Sequence, residues 1–213
     1  MIDVNHIAII DYGAGNLHSV HAALQRVAQP EDRIMVTHDP RDIAHATHVI
    51  LPGVGSFGDC ITALTQCTGM IDAIEHHARF LKKPFLGICV GMQMLLERGH
   101  EHGVHAGLGW IEGEVVMLDR SDPSMRIPHM GWNELKVHRP HPLLDEIVTG
   151  DHVYFVHSYY ARLTHNESLI ASTYYGAPIP AMIGYENIIG VQFHPEKSHK
   201  IGAKILENFL KMR

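Results

Sequence analysis

The chain has 213 residues, a formal net charge of −6 and a hydrophobic content of 46%. This length and apolar content suit a single packed domain over residues 1–213 and exclude a disordered chain. No block of Lys and Arg is present, so neither nucleic acid nor an anionic membrane is an expected partner. No apolar run reaches the ~20 residues that a membrane-spanning helix needs.

The three cysteines, Cys60, Cys67 and Cys89, are few, odd in number and without a CxxC pair. This usage predicts reduced thiols in the cytoplasm, and no disulfide scaffold or zinc site. The opening residues 1–13 lead directly into a predicted strand, so no signal peptide is expected.

In the first half of the chain, short apolar runs alternate with helical patterns. Leu17, Val20, Leu24 and Val27 recur at helical spacing, as do Ile71, Ile74 and Ala78, and a third helix is predicted over 90–98. Predicted strands cover 6–11, 33–38, 48–53 and 84–89. This alternation predicts an α/β fold with a mostly parallel sheet and helices on both faces.

In the second half of the chain, the sequence predicts short strands separated by turn residues, and this pattern favours some antiparallel pairing. An amphipathic helix is predicted over 198–212. The predicted strands are 109–119, 129–138, 152–161, 169–175, 180–186 and 188–196.

Cys89 stands between two glycines, in Gly87-Ile88-Cys89-Val90-Gly91, where a predicted strand passes into a predicted helix. Strand, tight turn and helix are the architecture of a nucleophile elbow, here with sulfur in place of oxygen. The helix start favours the thiolate, which is the nucleophilic form. The alternative is a buried core cysteine beside glycine.

The stretch VQFHPEKS, 191–198, supplies a base and an acid. If the strand continues, Gln192, His194 and Glu196 alternate onto one face, opposite Val191 and Phe193. His194 can then accept the thiol proton while Glu196 fixes its tautomer. A surface histidine with a solvated glutamate is the alternative, and Cys89 favours the triad.

Two glycine-rich stretches follow predicted strands. In LPGVGSFGD, 51–59, the Gly53–Val54 region could supply an oxyanion N–H beside that of Val90, or form a plain strand-to-helix turn. DYGAGN, 11–16, resembles half of a dinucleotide fingerprint but has His18 at the third glycine position, so NAD is not expected. A turn at the sheet edge facing a partner is favoured.

Histidines crowd GHEHGVHAG, 99–107. Without accompanying cysteines or patterned carboxylates, a polar surface loop after a helix is favoured over a metal site. Cys60 and Cys67 are seven residues apart on one face of a predicted helix and are expected to pack in the core. Neither a metal nor a cofactor is expected.

Taken together, these motifs resemble the class I (triad) glutamine amidotransferases. The finer resemblance is to the glutaminase subunits of imidazole glycerol phosphate synthase, and it covers residues 11–198. It rests on DYGAGNLHSV, LPGVGSFGD, GICVGMQ, PHMGWNEL, YFVHSYY and GVQFHPEKS. The implied fold is a flavodoxin-like, doubly wound, mixed but mostly parallel sheet with flanking helices.

The resemblance implies that Cys89 attacks the side-chain amide of glutamine, releasing ammonia and leaving a γ-glutamyl thioester that water hydrolyses. His194 would move the protons and Glu196 would orient it. The substrate and oxyanion residues implied in the same way are Gly53, Val54, Gly55, Val90, Gln93, His157, Ser158 and Tyr159. The Val54 amide is expected to need a rearrangement before it can donate.

The resemblance further implies a heterodimer with a separate (β/α)₈-barrel cyclase, which would use the ammonia for imidazole-ring formation in histidine biosynthesis. Asn16, Trp132, Tyr154 and Lys197 match positions at or near that interface. The chain departs from the pattern at His199, where a smaller residue is expected, and in the histidine-rich stretch 99–105.

Three other functions compete with this one. A paralogous subunit would feed ammonia to a different synthase, such as one modifying surface sugars, and genomic neighbourhood would identify it. A standalone γ-glutamyl thiol hydrolase would act without a partner. A non-enzymatic binding protein of the same fold would typically lack a member of the triad.

Overall fold

The computed structural model describes residues 4–119 and 125–213; the first residues of the predicted N-terminal segment, 1–3, lie outside this range. The helices are α1 (Leu17–Gln25), α2 (Pro40–His45), α3 (Phe57–Gln66), α4 (Met70–Glu75), α5 (Val90–Gln93) and α6 (His199–Lys211). The strands are β1 (His6–Ile10), β2 (Arg33–Thr37), β3 (His48–Gly53), β4 (Phe85–Cys89), β5 (Leu96–Gly99), β6 (His105–Ala106), β7 (Ile111–Met117), β8 (His129–Glu134), β9 (Lys136–Val137), β10 (His152–His157), β11 (Tyr159–Leu163), β12 (Leu169–Tyr175), β13 (Ala177–Tyr185) and β14 (Ile188–Val191).

Among the described residues, the main sheet has eight strands in the order β2-β1-β3-β4-β14-β13-β12-β9. The pairs from β2 through β14 are parallel, and those from β14 through β9 are antiparallel. Every residue of β3 and β4 is buried, as expected for parallel strands covered on both faces. The predicted mixed, mostly parallel α/β sheet is confirmed.

The four strands predicted in the first half are confirmed within one residue at either end, but the helix predicted over 90–98 is wrong beyond its first turn. Helix α5 ends at Gln93, and β5 begins at Leu96. The Leu95 carbonyl accepts hydrogen bonds from the N–H groups of Trp110 and Ile111, at 2.8 and 3.0 Å. These tertiary bonds, and the pairing of β5 with β6 and β7, override the local helical preference.

Two strands predicted as continuous are each divided between sheets. The segment 129–138 forms β8, which pairs with β10, and β9, which pairs with β12. The segment 152–161 forms β10 and then β11, which pairs with β7. An alternating pattern cannot reveal such a break, because both pieces keep the same period.

The remaining helix predictions have mixed outcomes. Helix α4 passes directly into a π-helical turn at His76–Phe80, so the predicted helix around Ile74 is confirmed with a changed winding. Cys60 is buried on α3, whereas Cys67 lies just beyond its end and packs half-buried against the core.

The histidine-rich stretch is not a plain loop after a helix, because it runs from β5 into β6. Within residues 4–119 and 125–213, no group of three or more His, Cys, Asp or Glu side chains is arranged to hold a metal ion. Over the same residues, no helix has the length and apolarity needed to cross a bilayer.

Several histidines are buried in the neutral form, and this couples folding to pH. Burial lowers the pKa of His48, His77 and His129 to about 4 and that of His157 to about 3. An unfolded chain protonates these side chains near their ordinary pKa of about 6.5, so their contribution to stability is present above that pH. It is lost as the pH falls from about 6.5 towards 4, by up to about 1.4 kcal/mol per pH unit for each histidine.

We therefore expect the urea midpoint of unfolding to fall steadily between pH 7 and pH 5. A His77→Gln variant keeps a donor for the Pro84 carbonyl, which the His77 ring contacts at 3.2 Å, but has no titrating group. Its free energy of unfolding should depend less steeply on pH. Identical slopes for the two proteins would contradict this account.

Candidate active site

The strand order brings three chain segments together at one edge of the sheet. Strand β4 lies between β3 and β14, with Gly53 opposite Cys89 and Val191 opposite Ile88. These strands are parallel, so the residues that follow all three emerge at their carboxyl ends. The sequence motifs around 53, 89 and 194 are therefore neighbours in space.

Cys89 occupies a strained turn at the end of β4. Its φ and ψ are 54° and −110°, and the residue is 5% exposed. A Cβ at position 91 would lie 1.8 Å from the Leu51 carbonyl oxygen, and one at position 87 would lie 2.6 Å from the Gly91 oxygen. Glycine is thus needed at both positions because backbone approaches backbone. Helix α5 is one turn long, so a smaller dipole faces Cys89 than the predicted helix implied.

The segment carrying His194 and Glu196 is a turn, so the predicted strand over 188–196 is wrong beyond Val191. Residues Pro195–Lys197 form a 3₁₀ turn. The Ser198 hydroxyl donates to the His194 carbonyl at 2.6 Å and accepts from the Tyr154 N–H at 3.0 Å. The turn is therefore fixed on β10, and it brings His194 and Glu196 together without strand alternation.

The imidazole of His194 is paired with a buried carboxylate. His194 Nδ1 lies 2.8 Å from Glu196 Oε1, with side chains 3% and 1% exposed. Burial alone would lower the pKa of His194, but the hydrogen bonds to Cys89 and Glu196 outweigh it and raise the pKa to about 9. The other ring nitrogen, Nε2, is then free to exchange a proton with the Cys89 thiol. Such a thiol–imidazole pair can support acyl transfer.

Gln192 is a site residue that sequence reasoning did not select. Its Nε2 donates to Cys89 Sγ at 3.7 Å, and its Oε1 accepts from Gln93 Nε2 at 3.1 Å. Gln93 also donates to the Tyr159 carbonyl at 3.0 Å. Both amides are buried, so they form a polar wall behind the sulfur. The available signal was a polar residue in an apolar strand.

His157 faces the cavity but has both ring nitrogens occupied. Nδ1 lies 2.9 Å from the Tyr159 carbonyl, so it carries the proton, and Nε2 accepts from His129 Nδ1 at 3.0 Å. His129 Nε2 in turn accepts from Asn133 at 3.2 Å. With both nitrogens engaged in this buried chain, the His157 ring positions residues 157–159 and cannot also bind a substrate through them.

A cavity of about 320 Å³ opens over Cys89. Every predicted substrate and oxyanion residue lines this cavity except Gly53, which lies in β3 and is paired with Cys89 of β4. The sequence analysis did not predict three of the lining residues, Glu101, Pro128 and Val156. Glu101 was missed because the stretch around it was analysed only for its histidines. The lining residues are Val54, Gly55, Cys89, Val90, Gln93, Glu101, Pro128, Val156, His157, Ser158, Tyr159, His194 and Lys197.

Three of the four predicted partner-interface residues form one cluster beside this cavity. The Trp132 and Tyr154 rings are 6.0 Å apart, and Lys197 Nζ lies 5.9 Å from the Tyr154 ring centre. His199 stacks on Trp132 at 4.9 Å. The fourth residue, Asn16, donates to Glu196 Oε1 at 3.3 Å and so contacts the carboxylate of the site itself.

Residues 8–212 match the family of class-I glutamine amidotransferases. The chain belongs to this family. It is 48% identical over 204 residues to the imidazole glycerol phosphate synthase subunit HisH of Cereibacter sphaeroides, covering 95% of this chain and 96% of that protein. It is also 48% identical over 209 residues to the protein of the same name from Rhodospirillum rubrum, covering 96% and 98%.

Solved structures agree on the fold. A structure described as PurLQS from Thermotoga maritima superposes with a TM-score of 0.74 at 19% identity, covering 98% of this chain and 99% of that one. A structure described as glutamine amidotransferase gives 0.72 at 17% identity, covering 96% and 97%. At such identities the likeness concerns the fold alone.

Removing the Ser198 hydroxyl should loosen the turn that holds His194. We expect Ser198→Ala to lower the free energy of unfolding by about 1–3 kcal/mol, because the partly buried Tyr154 N–H loses its acceptor. Glutaminase kcat should fall at the same time, since His194 is no longer fixed. Urea unfolding and glutamate release measure the two effects, and an unchanged kcat would show that this hydroxyl does not position His194.

Proposed function

We propose that this chain is the glutaminase subunit of an imidazole glycerol phosphate synthase, producing ammonia from glutamine through a thioester on Cys89. One observation carries the proposal: Cys89 opens into the same cavity as His194, whose imidazole is bonded to the buried Glu196. The names of the relatives that are 48% identical over almost their whole length support this choice of synthase. No observation on this chain favours the paralogous synthase, the standalone hydrolase or the binding protein.

In the first step, the Cys89 sulfur attacks the side-chain carbonyl carbon of glutamine. The thiol proton resides on His194 Nε2, and the raised pKa of His194 favours this imidazolium–thiolate pair near neutral pH. The carbonyl oxygen becomes an oxyanion. Backbone N–H groups of Val90 and of the Gly53–Val54 region are the proposed donors to it.

In the second step, His194 gives its proton to the leaving nitrogen, the C–N bond breaks and ammonia departs, leaving the γ-glutamyl thioester. His194 then takes a proton from water, which attacks the thioester and releases glutamate. Sulfur leaves as thiolate, and the pair with His194 is restored. Glu196 orients the imidazole throughout, because it accepts from Nδ1.

The cavity wall also offers groups for the α-substituents of glutamine. Among the described residues that line this cavity, Glu101 carries the carboxylate, and it suits an α-ammonium group. Its Oε2 is fixed by the Phe57 N–H at 2.8 Å, at the start of α3. The backbone at Ser158 and Tyr159 is proposed to hold the remaining polar groups, since His157 orders this segment.

The ammonia is proposed to pass to a separate (β/α)₈-barrel cyclase that docks over the Trp132, Tyr154 and Lys197 cluster. Trp132 is 45% exposed, an unusual exposure for so large an aromatic ring and a typical one for an interface residue. Ammonia released into bulk water becomes ammonium and loses its nucleophilicity. A docked partner prevents this loss.

We further propose one domain over residues 1–213 and a cytoplasmic location. Among the described residues, one buried hydrophobic cluster extends from Ile7 to Leu210 and supports the domain proposal. The three free cysteines suit a reducing compartment.

Glutamate release from glutamine tests the proposal directly. The purified chain should be slow alone and faster with the cognate cyclase, and fastest when the cyclase also holds its ribonucleotide substrate. Such gating follows if the partner turns the Gly53–Val54 peptide so that the Val54 N–H donates, because one oxyanion donor is worth ~10²–10³ in kcat. Cys89→Ala should abolish release in every mixture.

Cys67→Ala is the matched control, since Cys67 lies outside the cavity, and it should retain full activity. Equal rates for the chain alone and for the full mixture would contradict the gating. No release in any mixture would contradict the proposed synthase.

A further inference from the structure

Two side chains with no role in the mechanism above hold the backbone of the proposed oxyanion segment from behind. The Tyr12 hydroxyl donates to the Pro52 carbonyl at 2.7 Å. The Cys60 thiol donates to the Val54 carbonyl at 3.4 Å. These two carbonyls belong to the peptide groups before and after the Gly53–Val54 peptide, so both neighbours of that peptide are restrained.

Gly53 itself is enclosed by the same groups. A Cβ at this position would lie 2.7 Å from the Gly91 nitrogen and 2.9 Å from both the Tyr12 hydroxyl and Val90 Cβ. The segment is therefore pressed between the turn after Cys89 and the loop after β1. Its backbone cannot shift as a unit without breaking the bond to Tyr12.

The Tyr12 hydroxyl and the Cys60 thiol both remain protonated, because both groups are buried. Tyr12 is 5% exposed and Cys60 is 0% exposed. Burial, reinforced by neighbouring thiol groups, raises the pKa of Tyr12, and burial likewise raises that of Cys60. Cys60 is thus a hydrogen-bond donor and a poor nucleophile, in contrast to the role proposed for Cys89.

The direction of these bonds matters for the oxyanion. Tyr12 and Cys60 lie outside the set of described residues that line the cavity, so the Pro52 and Val54 carbonyls are directed at groups behind it. A carbonyl oxygen turned towards Cys89 would repel a developing negative charge. Hydrogen-bond donors such as backbone N–H groups stabilise it.

We propose that Tyr12 and Cys60 are positioning residues that hold the Pro52 and Val54 carbonyls away from Cys89, so that only the Gly53–Val54 peptide between them turns and its N–H reaches the oxyanion. This inference rests on the proposed function, because it assigns a role within the same glutaminase step. It predicts an effect on the transition state with little effect on glutamine binding.

The test uses four variants of the full chain in complex with its cyclase: Tyr12→Phe, Cys60→Ala, Cys60→Ser and Cys67→Ala. Tyr12→Phe removes one oxygen and keeps the ring, so it preserves the packing even if Cys60→Ala disturbs α3. Serine keeps a donor at position 60. Cys67→Ala controls for the loss of a thiol near the end of the same helix.

We expect Tyr12→Phe and Cys60→Ala to lower kcat for glutamine about 10- to 100-fold, the scale of a misplaced catalytic group, with KM changed less than twofold. Binding of glutamate γ-semialdehyde, whose adduct with Cys89 carries the oxyanion, should weaken by a similar factor. Cys60→Ser and Cys67→Ala should stay within threefold of the unaltered chain in both measurements.

Unchanged kcat and semialdehyde binding in Tyr12→Phe and Cys60→Ala would overturn the inference, as would a change in KM alone. A loss of the same size in Cys67→Ala would also overturn it, since that effect would be general to α3. These results are distinct from failure of the proposed function, in which the unaltered chain releases glutamate no faster than Cys89→Ala. If the unaltered chain released glutamate no faster than Cys89→Ala, both the proposed function and this inference would be contradicted.

Discussion

The close approach of two backbone segments is the constraint on which the site depends. The turn after Cys89 lies so near β3 that a Cβ at position 91 would fall within 1.8 Å of the Leu51 carbonyl oxygen. This contact lets the chain reverse sharply enough to give Cys89 a φ of 54°. It also fixes the distance between Cys89 and Gly53, because these two residues are paired across β4 and β3. A side chain at position 91 would separate the nucleophile from its proposed oxyanion donors.

The neighbouring strand β14 completes the arrangement through a turn. His194 is held by a backbone bond from its N–H to the Tyr154 carbonyl of β10 and by Ser198, and its imidazole is held by Glu196. Each of these groups is buried, so the electrostatic interactions are poorly screened. The raised pKa of His194 is a consequence of that burial combined with two hydrogen bonds. Asn16 then links the carboxylate to the loop after β1, which also carries Tyr12.

Sequence patterns were sufficient for the parallel half of the fold and for the triad. Continuous apolar runs predicted β1, β3 and β4, and glycines flanking Cys89 predicted the turn. These patterns failed where tertiary contacts decide local structure. The helix after Cys89 ends at Gln93 because the N–H groups of residues 108–111 bind the carbonyl groups of residues 94–96. His194 and Glu196 were paired for an incorrect reason, since a 3₁₀ turn joins them rather than strand alternation.

Gln192, Glu101 and Tyr12 were missed by the sequence analysis for a related reason. Each is an ordinary polar residue whose role depends on groups distant in the chain. Gln192 donates to Cys89, Tyr12 donates to the Pro52 carbonyl, and Glu101 lines the cavity over Cys89. The family resemblance implied that His157 is a substrate residue, whereas its bond to His129 makes it a support for the cavity wall. Only the folded arrangement reveals such pairs.

The central claim is that Cys89, of three free thiols, attacks the side chain of glutamine. Covalent labelling tests it most directly, using a glutamine analogue that carries a diazoketone in place of the side-chain amide. The complex with the cyclase and its ribonucleotide would be labelled, digested and mapped by mass spectrometry. The account predicts label on Cys89 alone, slowed by added glutamine and strongly reduced in His194→Ala. Label on Cys60 or Cys67, or labelling of Cys89 that glutamine does not slow, would contradict it.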